Sequence, residues 1–214
     1  MEVSQVGYIR FLCNISDINN LELILDDKIV IGHLNDGTIT PYFPVIGCGH
    51  KLIVRSRVSC FRSTTASNLE TIDIISAEIN TQNDKYYTII LTKSGDYSVI
   101  GIEDQMTLCE GAGIRVVNLL TCMPDIDVQI IDNNRKKQYI IAKNAIYSLP
   151  SCHVKSCCGL FTITASSCNK KIMHSSTIAL ENNKVYTIFI IDKKYYGIIP
   201  MLTTDSDHTI IYQS

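Results

Sequence analysis

The chain of 214 residues has no tryptophan, no apolar run near the ~18 residues of a membrane-crossing helix, and no stripe of basic charge. Each absence removes a class of function. Without tryptophan, and with the tyrosines mostly inside strand-like runs, there is little from which to build an exposed aromatic platform for sugars. The formal net charge is -2, and the lysine pairs Lys136-Lys137, Lys170-Lys171 and Lys193-Lys194 are scattered, as solvated faces or edge-strand charges are. That pattern does not neutralise a row of phosphates, so no nucleic-acid partner is expected. Met1-Glu2-Val3-Ser4-Gln5 lacks a positive segment followed by an apolar stretch, so no signal peptide and no membrane insertion are expected.

Catalytic patterns are missing as well. No Gly-x-Ser-x-Gly elbow and no catalytic-cysteine context occurs. Gly47-Cys48-Gly49 precedes a strand, whereas a phosphate-cradling loop needs a helix N-terminus, so it reads as a turn. His33, His50, His153, His174 and His208 are scattered near turns and are expected to be surface histidines. A non-enzymatic protein without a cofactor is the expectation.

What the chain does contain is a repeat of itself. Ile9-Arg10-Phe11-Leu12 returns as Ile114-Arg115-Val116-Val117, and Leu21-Glu22-Leu23 as Ile126-Asp127-Val128. Cys48-Gly49 returns as Cys158-Gly159, and Lys85-Tyr86-Tyr87-Thr88 as Lys184-Val185-Tyr186-Thr187. Order is kept while loop lengths differ, which is the signature of a duplicated domain. Glu22 and Asp127 fall at equivalent places and suggest a repeated structural hydrogen bond.

Between turns such as Asp26-Asp27, Asn35-Asp36-Gly37, Ser94-Gly95-Asp96 and Asn182-Asn183, the apolar residues run in short stretches with period two, rich in Ile, Val, Thr and Tyr. Seven strands are expected in each copy: 8–12, 21–25, 28–31, 52–58, 71–79, 86–92 and 97–103, then 113–119, 126–131, 138–142, 160–165, 177–180, 185–192 and 195–202. The expected fold is all-β, two tandem antiparallel β-sandwiches, with boundaries at 1–105 and 112–214 and a short linker over 106–111. The second copy lacks a counterpart to a polar stretch near 61–71, which reads as a surface loop.

The strand residues Ile114-Arg115-Val116-Val117-Asn118, then Pro124-Asp125-Ile126-Asp127-Val128, then Val185-Tyr186-Thr187-Ile188 carry a resemblance to the bacterial domain-of-unknown-function family numbered 4397. The first copy repeats the skeleton with Ile9-Arg10-Phe11-Leu12, Leu21-Glu22-Leu23 and Tyr86-Tyr87-Thr88-Ile89. The resemblance implies small immunoglobulin-like or transthyretin-like sandwiches, often in tandem on cell surfaces, and it transfers no catalytic residue.

Nine cysteines, Cys13, Cys48, Cys60, Cys109, Cys122, Cys152, Cys157, Cys158 and Cys168, are many for a reducing compartment, and the odd number leaves one unpaired within the chain. Those that flank one straight strand, such as Cys48 and Cys60, stand too far apart to pair, since disulfide partners need Cα atoms within about 7 Å. All nine are therefore candidates for linking one molecule to another. Cys152, Cys157, Cys158 and His174 offer a weaker alternative, a cytosolic zinc module, although the usual Cys-x-x-Cys spacing is absent. At the C-terminus Thr209, Ile210, Ile211 and Tyr212 form a candidate assembly strand, free to pair at a neighbour's edge. The expected function is thus a self-assembling structural subunit of a bacterial spore or cell surface: coat, exosporium or filament. A surface adhesion module for carbohydrate or protein is the alternative.

Overall fold

Residues 6–59, 69–105, 111–121, 123, 125–156, 158–167, 172–193 and 197–204 are described by a computed structural model. They contain strands and turns and no helix. The chain divides between Glu103 and Asp104 into two compact units.

In the first unit the strands are β1 (Val6–Asn14), β2 (Leu21–Leu25), β3 (Lys28–Leu34), β4 (Phe43–Ile46), β5 (Gly49–Ser59), β6 (Leu69–Asn80), β7 (Tyr86–Ser94) and β8 (Asp96–Asp104), whose last residue, Asp104, already belongs to the second unit. They form two sheets, in the orders β4-β1-β7-β8 and β3-β2-β5-β6. Alternating residues of both sheets, among them Ile9 and Phe11 of β1, Leu23 of β2, Leu52 and Val54 of β5 and Ile89 of β7, meet in one core. Two sheets sharing one apolar layer make a β-sandwich. The tight link from β2 to β3 is Asp26-Asp27, with φ of 48° and 63°. Both lie in the left-handed region that a two-residue hairpin turn demands and that aspartate tolerates better than most residues.

The second unit contains β9 (Ala112–Asn118), β10 (Asp125–Asp132), β11 (Gln138–Ile146), β12 (Val154–Ser156), β13 (Gly159–Ser167), β14 (Ile172–Leu180), β15 (Val185–Lys193) and β16 (Gly197–Thr204). Its sheets run β12-β9-β15-β16 and β11-β10-β13-β14, the same topology strand for strand, around a core that includes Ile114, Val128, Phe161, Ile163 and Ile188.

Register extends the likeness to single hydrogen bonds. Ile9 pairs with Tyr87 as Ile114 pairs with Tyr186. Bulges fall at Leu21–Leu23 in β2 and Ile126–Val128 in β10, and again at Val54–Arg55 and Ala165–Ser166. The Val6 amide donates to Asn83 Oδ1 at 2.9 Å, and the Gly111 amide to Asn182 Oδ1 at 3.0 Å. The Phe11 amide donates to Thr40 Oγ1, and the Val116 amide to Ser151 Oγ, each at 2.9 Å. Most telling are two arginines that are 4% exposed: Arg10 Nε donates to Thr88 Oγ1 at 2.8 Å and Arg115 Nε to Thr187 Oγ1 at 2.9 Å.

Three sequence expectations change. Among the described residues each unit has eight strands, the additions being β4 and β12, short edge strands of four and three residues. Each sandwich also contains one parallel pair, β1 with β7 and β9 with β15, because the first strand inserts beside the seventh in the same direction. Finally, the ladder aligns Gly49 with Leu160 and not with Gly159. Phe43 and Val154 pair with Ile9 and Ile114, and Leu52 and Ile163 with Leu25 and Ile130, so the displacement stays constant across that turn.

Candidate functional site

The described cysteines occupy two environments. Cys13 lies on β1 with 0% exposure, in the core of the first unit. Burial pushes its thiol up to about 12; a backbone hydrogen bond at Ile15 acts in the opposite direction and the charge of Asp36 adds to the rise. A thiol that is buried and protonated at neutral pH does not reach a second molecule without opening the sandwich, which removes Cys13 from the accessible cross-linking set. Cys48, Cys152 and Cys158, by contrast, are exposed free thiols. Cys48 sits in the turn between β4 and β5, and Cys158 in the matching turn between β12 and β13. Each unit thus presents one thiol from the same turn.

Cys60, Cys109, Cys122, Cys157 and Cys168 lie outside the described residues, as do Thr209, Ile210, Ile211 and Tyr212 and the side chain of His174. Among the described residues no cluster of three His, Cys, Asp or Glu side chains suited to a metal forms. Glu22 and Asp127 keep their equivalent places but differ in their bonds. Glu22 receives Arg57 Nη2 at 2.8 Å and lies 3.6 Å from Arg55, whereas Asp127 Oδ1 accepts from the Asn144 amide at 2.9 Å.

The site that sequence reasoning missed is at His50. This residue, expected on the surface, is 4% exposed. Its Nδ1 lies 2.7 Å from Asp26 Oδ2, and the Lys51 amide donates to Asp26 Oδ1 at 2.9 Å. Burial works to raise the Asp26 carboxyl, but the hydrogen bonds from His50 and Lys51 outweigh it and hold the group below its ordinary value. An ionised carboxylate only accepts, so Nδ1 carries a proton toward Asp26, and Nε2 is the ring's remaining hydrogen-bonding atom. Nε2 is buried without a hydrogen-bond partner among the described residues.

His50 and Asp26 stand at one end of a cleft of about 570 Å³ that opens where the edge strands β3 and β4 of the two sheets face each other. Leu25, Val30, Phe43 and Val45 give it apolar walls, Tyr8 contributes from β1, and Lys28 adds one charge. A histidine oriented by a carboxylate is half of a nucleophile-activating arrangement. No hydroxyl or thiol among the described residues bonds Nε2, so the histidine has no paired nucleophile; it lines the apolar cleft with that nitrogen buried and unpartnered among the described residues.

One sequence signal could have found it. In the ladder, His50 opposite Ile79 corresponds to Phe161 opposite Ile178, so one copy has a histidine where the other has a core phenylalanine.

In the second unit a different polar group is buried. Arg115 Nη2 donates to Asp104 Oδ1 at 2.6 Å, with side chains 5% and 0% exposed and both residues within that unit. His153 is held below its ordinary value by burial and by the charge of Arg115, against an opposing contribution from Asp104. Its counterpart in the first unit is Tyr42, whose ring centre lies 4.6 Å from the guanidinium carbon of Arg10.

Compared with protein-family models and with curated proteins, the chain has no match.

Proposed function

We propose that the protein is a non-enzymatic structural subunit that associates with copies of itself and is then locked by disulfides, of the kind that builds a bacterial spore coat, exosporium or surface filament. The observation that carries it is that both units expose a thiol in the matching turn, Cys48 and Cys158, with Cys152 exposed as well. Two linkage points per chain extend a polymer, where one point gives only a dimer. The resemblance to the family numbered 4397 supports a surface setting, and oxidising surroundings would suit the many cysteines.

The test is non-reducing electrophoresis of the oxidised protein. A ladder that collapses with reductant, and that shortens in a Cys48→Ser/Cys158→Ser variant, is the expected outcome. A clean monomer with and without reductant would sink the proposal.

A further inference from the structure

We propose that the cleft between β3 and β4 of the first unit binds a small, mostly apolar molecule bearing a hydroxyl group, which forms a hydrogen bond with Nε2 of His50. The inference goes beyond self-assembly and stands independently of it.

The duplicated fold supplies the main argument. At the positions of Lys28 and His50 the second unit has Tyr139 and Phe161, whose rings pack edge to face with centroids 6.4 Å apart. Phe161 is 0% exposed there, so a side chain without a polar atom fills the place that His50 takes in the first unit. The first unit has instead a lysine and a buried imidazole whose Nε2 has no partner among the described residues. A polar atom left unpaired inside a protein is unfavourable, and native structures retain few of them. The fold does not require this one, which points to a partner from outside the chain.

The chemistry of that partner follows from the lining. The cleft volume of about 570 Å³ lies within the range of small-molecule sites. Leu25, Val30, Phe43 and Val45 favour hydrocarbon or an aromatic ring. Asp26 occupies Nδ1, so Nε2 is left for the ligand, and a hydroxyl, which both donates and accepts, pairs with that nitrogen. With Lys28 and Asp26 both at the lining, a neutral polar group such as a hydroxyl suits the cleft better than an ion of either sign.

Fluorescence titration with 1-naphthol and 1-methoxynaphthalene tests this, and the lack of tryptophan keeps the protein background low. The two probes have the same ring system, but only the first donates a hydrogen bond. The whole chain is expected to bind 1-naphthol at least about tenfold more tightly, a preference that losing one buried hydrogen bond is sufficient to erase. In His50→Phe, which copies the second unit, the preference should disappear while both probes still bind. Val30→Trp, which fills the cleft, should abolish binding of both. Equal affinities in the unmodified protein, an undiminished preference in His50→Phe, or no saturable binding of 1-naphthol up to its solubility limit would each overturn the proposal. If His50→Phe does not fold, the ¹⁵N shift of Nε2 in the unmodified protein decides. Movement on adding 1-naphthol supports the site, and an unmoved resonance refutes it.

Discussion

Asp104→Ala is expected to weaken the second unit severely, although it removes a single ion pair. Two pairs in the chain have the same separation, 2.6 Å: Arg115 with Asp104 and Lys93 with Asp17. Distance therefore cannot rank them, but burial can. The side chains are 5% and 0% exposed in the first pair and 39% and 38% in the second. An exposed pair trades its partner for water and is screened by salt, so Lys93→Ala should produce no resolvable change. Removing Asp104 takes away the carboxylate that lies 2.6 Å from Nη2 of an interior guanidinium, while Thr187 Oγ1 stays 2.9 Å from its Nε. Breaking a buried pair in this way costs about 3–5 kcal/mol, which corresponds to a roughly 100- to 4,000-fold rise in the opening equilibrium. Because a two-unit chain need not unfold in one step, hydrogen exchange of the β9 and β15 amides is the suitable assay, as deep amides report the opening of their own unit. A double replacement, Arg115→Met with Asp104→Leu, should restore most of the protection by removing both charges. An acceleration below about tenfold in Asp104→Ala would refute the reasoning, because it would place the pair in the energetic class of exposed ones.

Thiol mapping by iodoacetamide and mass spectrometry should label Cys48, Cys152 and Cys158 in the folded protein and leave Cys13 unmodified until denaturant is added; rapid native labelling of Cys13 would contradict its burial. His153 has a folded pKa below its ordinary 6.5, so the unfolded chain takes up a proton that the folded chain refuses, and stability falls as pH drops below about 6.5. His153→Tyr, which copies Tyr42 over Arg10, should remove that part of the acid sensitivity. Identical stability profiles for the two proteins between pH 7 and pH 5 would dismiss the idea.

The duplication was legible because alternating apolar residues and turn pairs such as Asp26-Asp27 and Asn182-Asn183 are local signals that survive in both copies. β4 was not, because four residues that include Pro44 give too short an alternation to register; its place is set by pairing with β1, far away in the chain. The one-residue error at Cys158-Gly159 came from matching a dipeptide by identity, whereas register is decided by which side chains the pleat turns inward. That same error hid His50. With Gly49 laid on Gly159, His50 falls opposite Leu160, and only the correct ladder sets it against Phe161. Its pairing with Asp26, 24 residues earlier, arises from folding of the sheet and has no local signature.

The parallel seat of β1 beside β7 also sets an order of events during synthesis. Arg10 and Thr88 are 78 residues apart, so β1 has no partner of this kind until most of the first unit has been made. Contacts so distant form slowly, and domains generally complete themselves from the N-terminus onward. By the time Ala112 begins β9, β7 has already ended at Ser94, and β1 can occupy its flank. This matters because β9 carries the same arginine in the same register and fits the same threonine ladder. Were β1 missing or late, β9 could take its seat on β7, and the very fidelity of the duplication would turn into a domain swap.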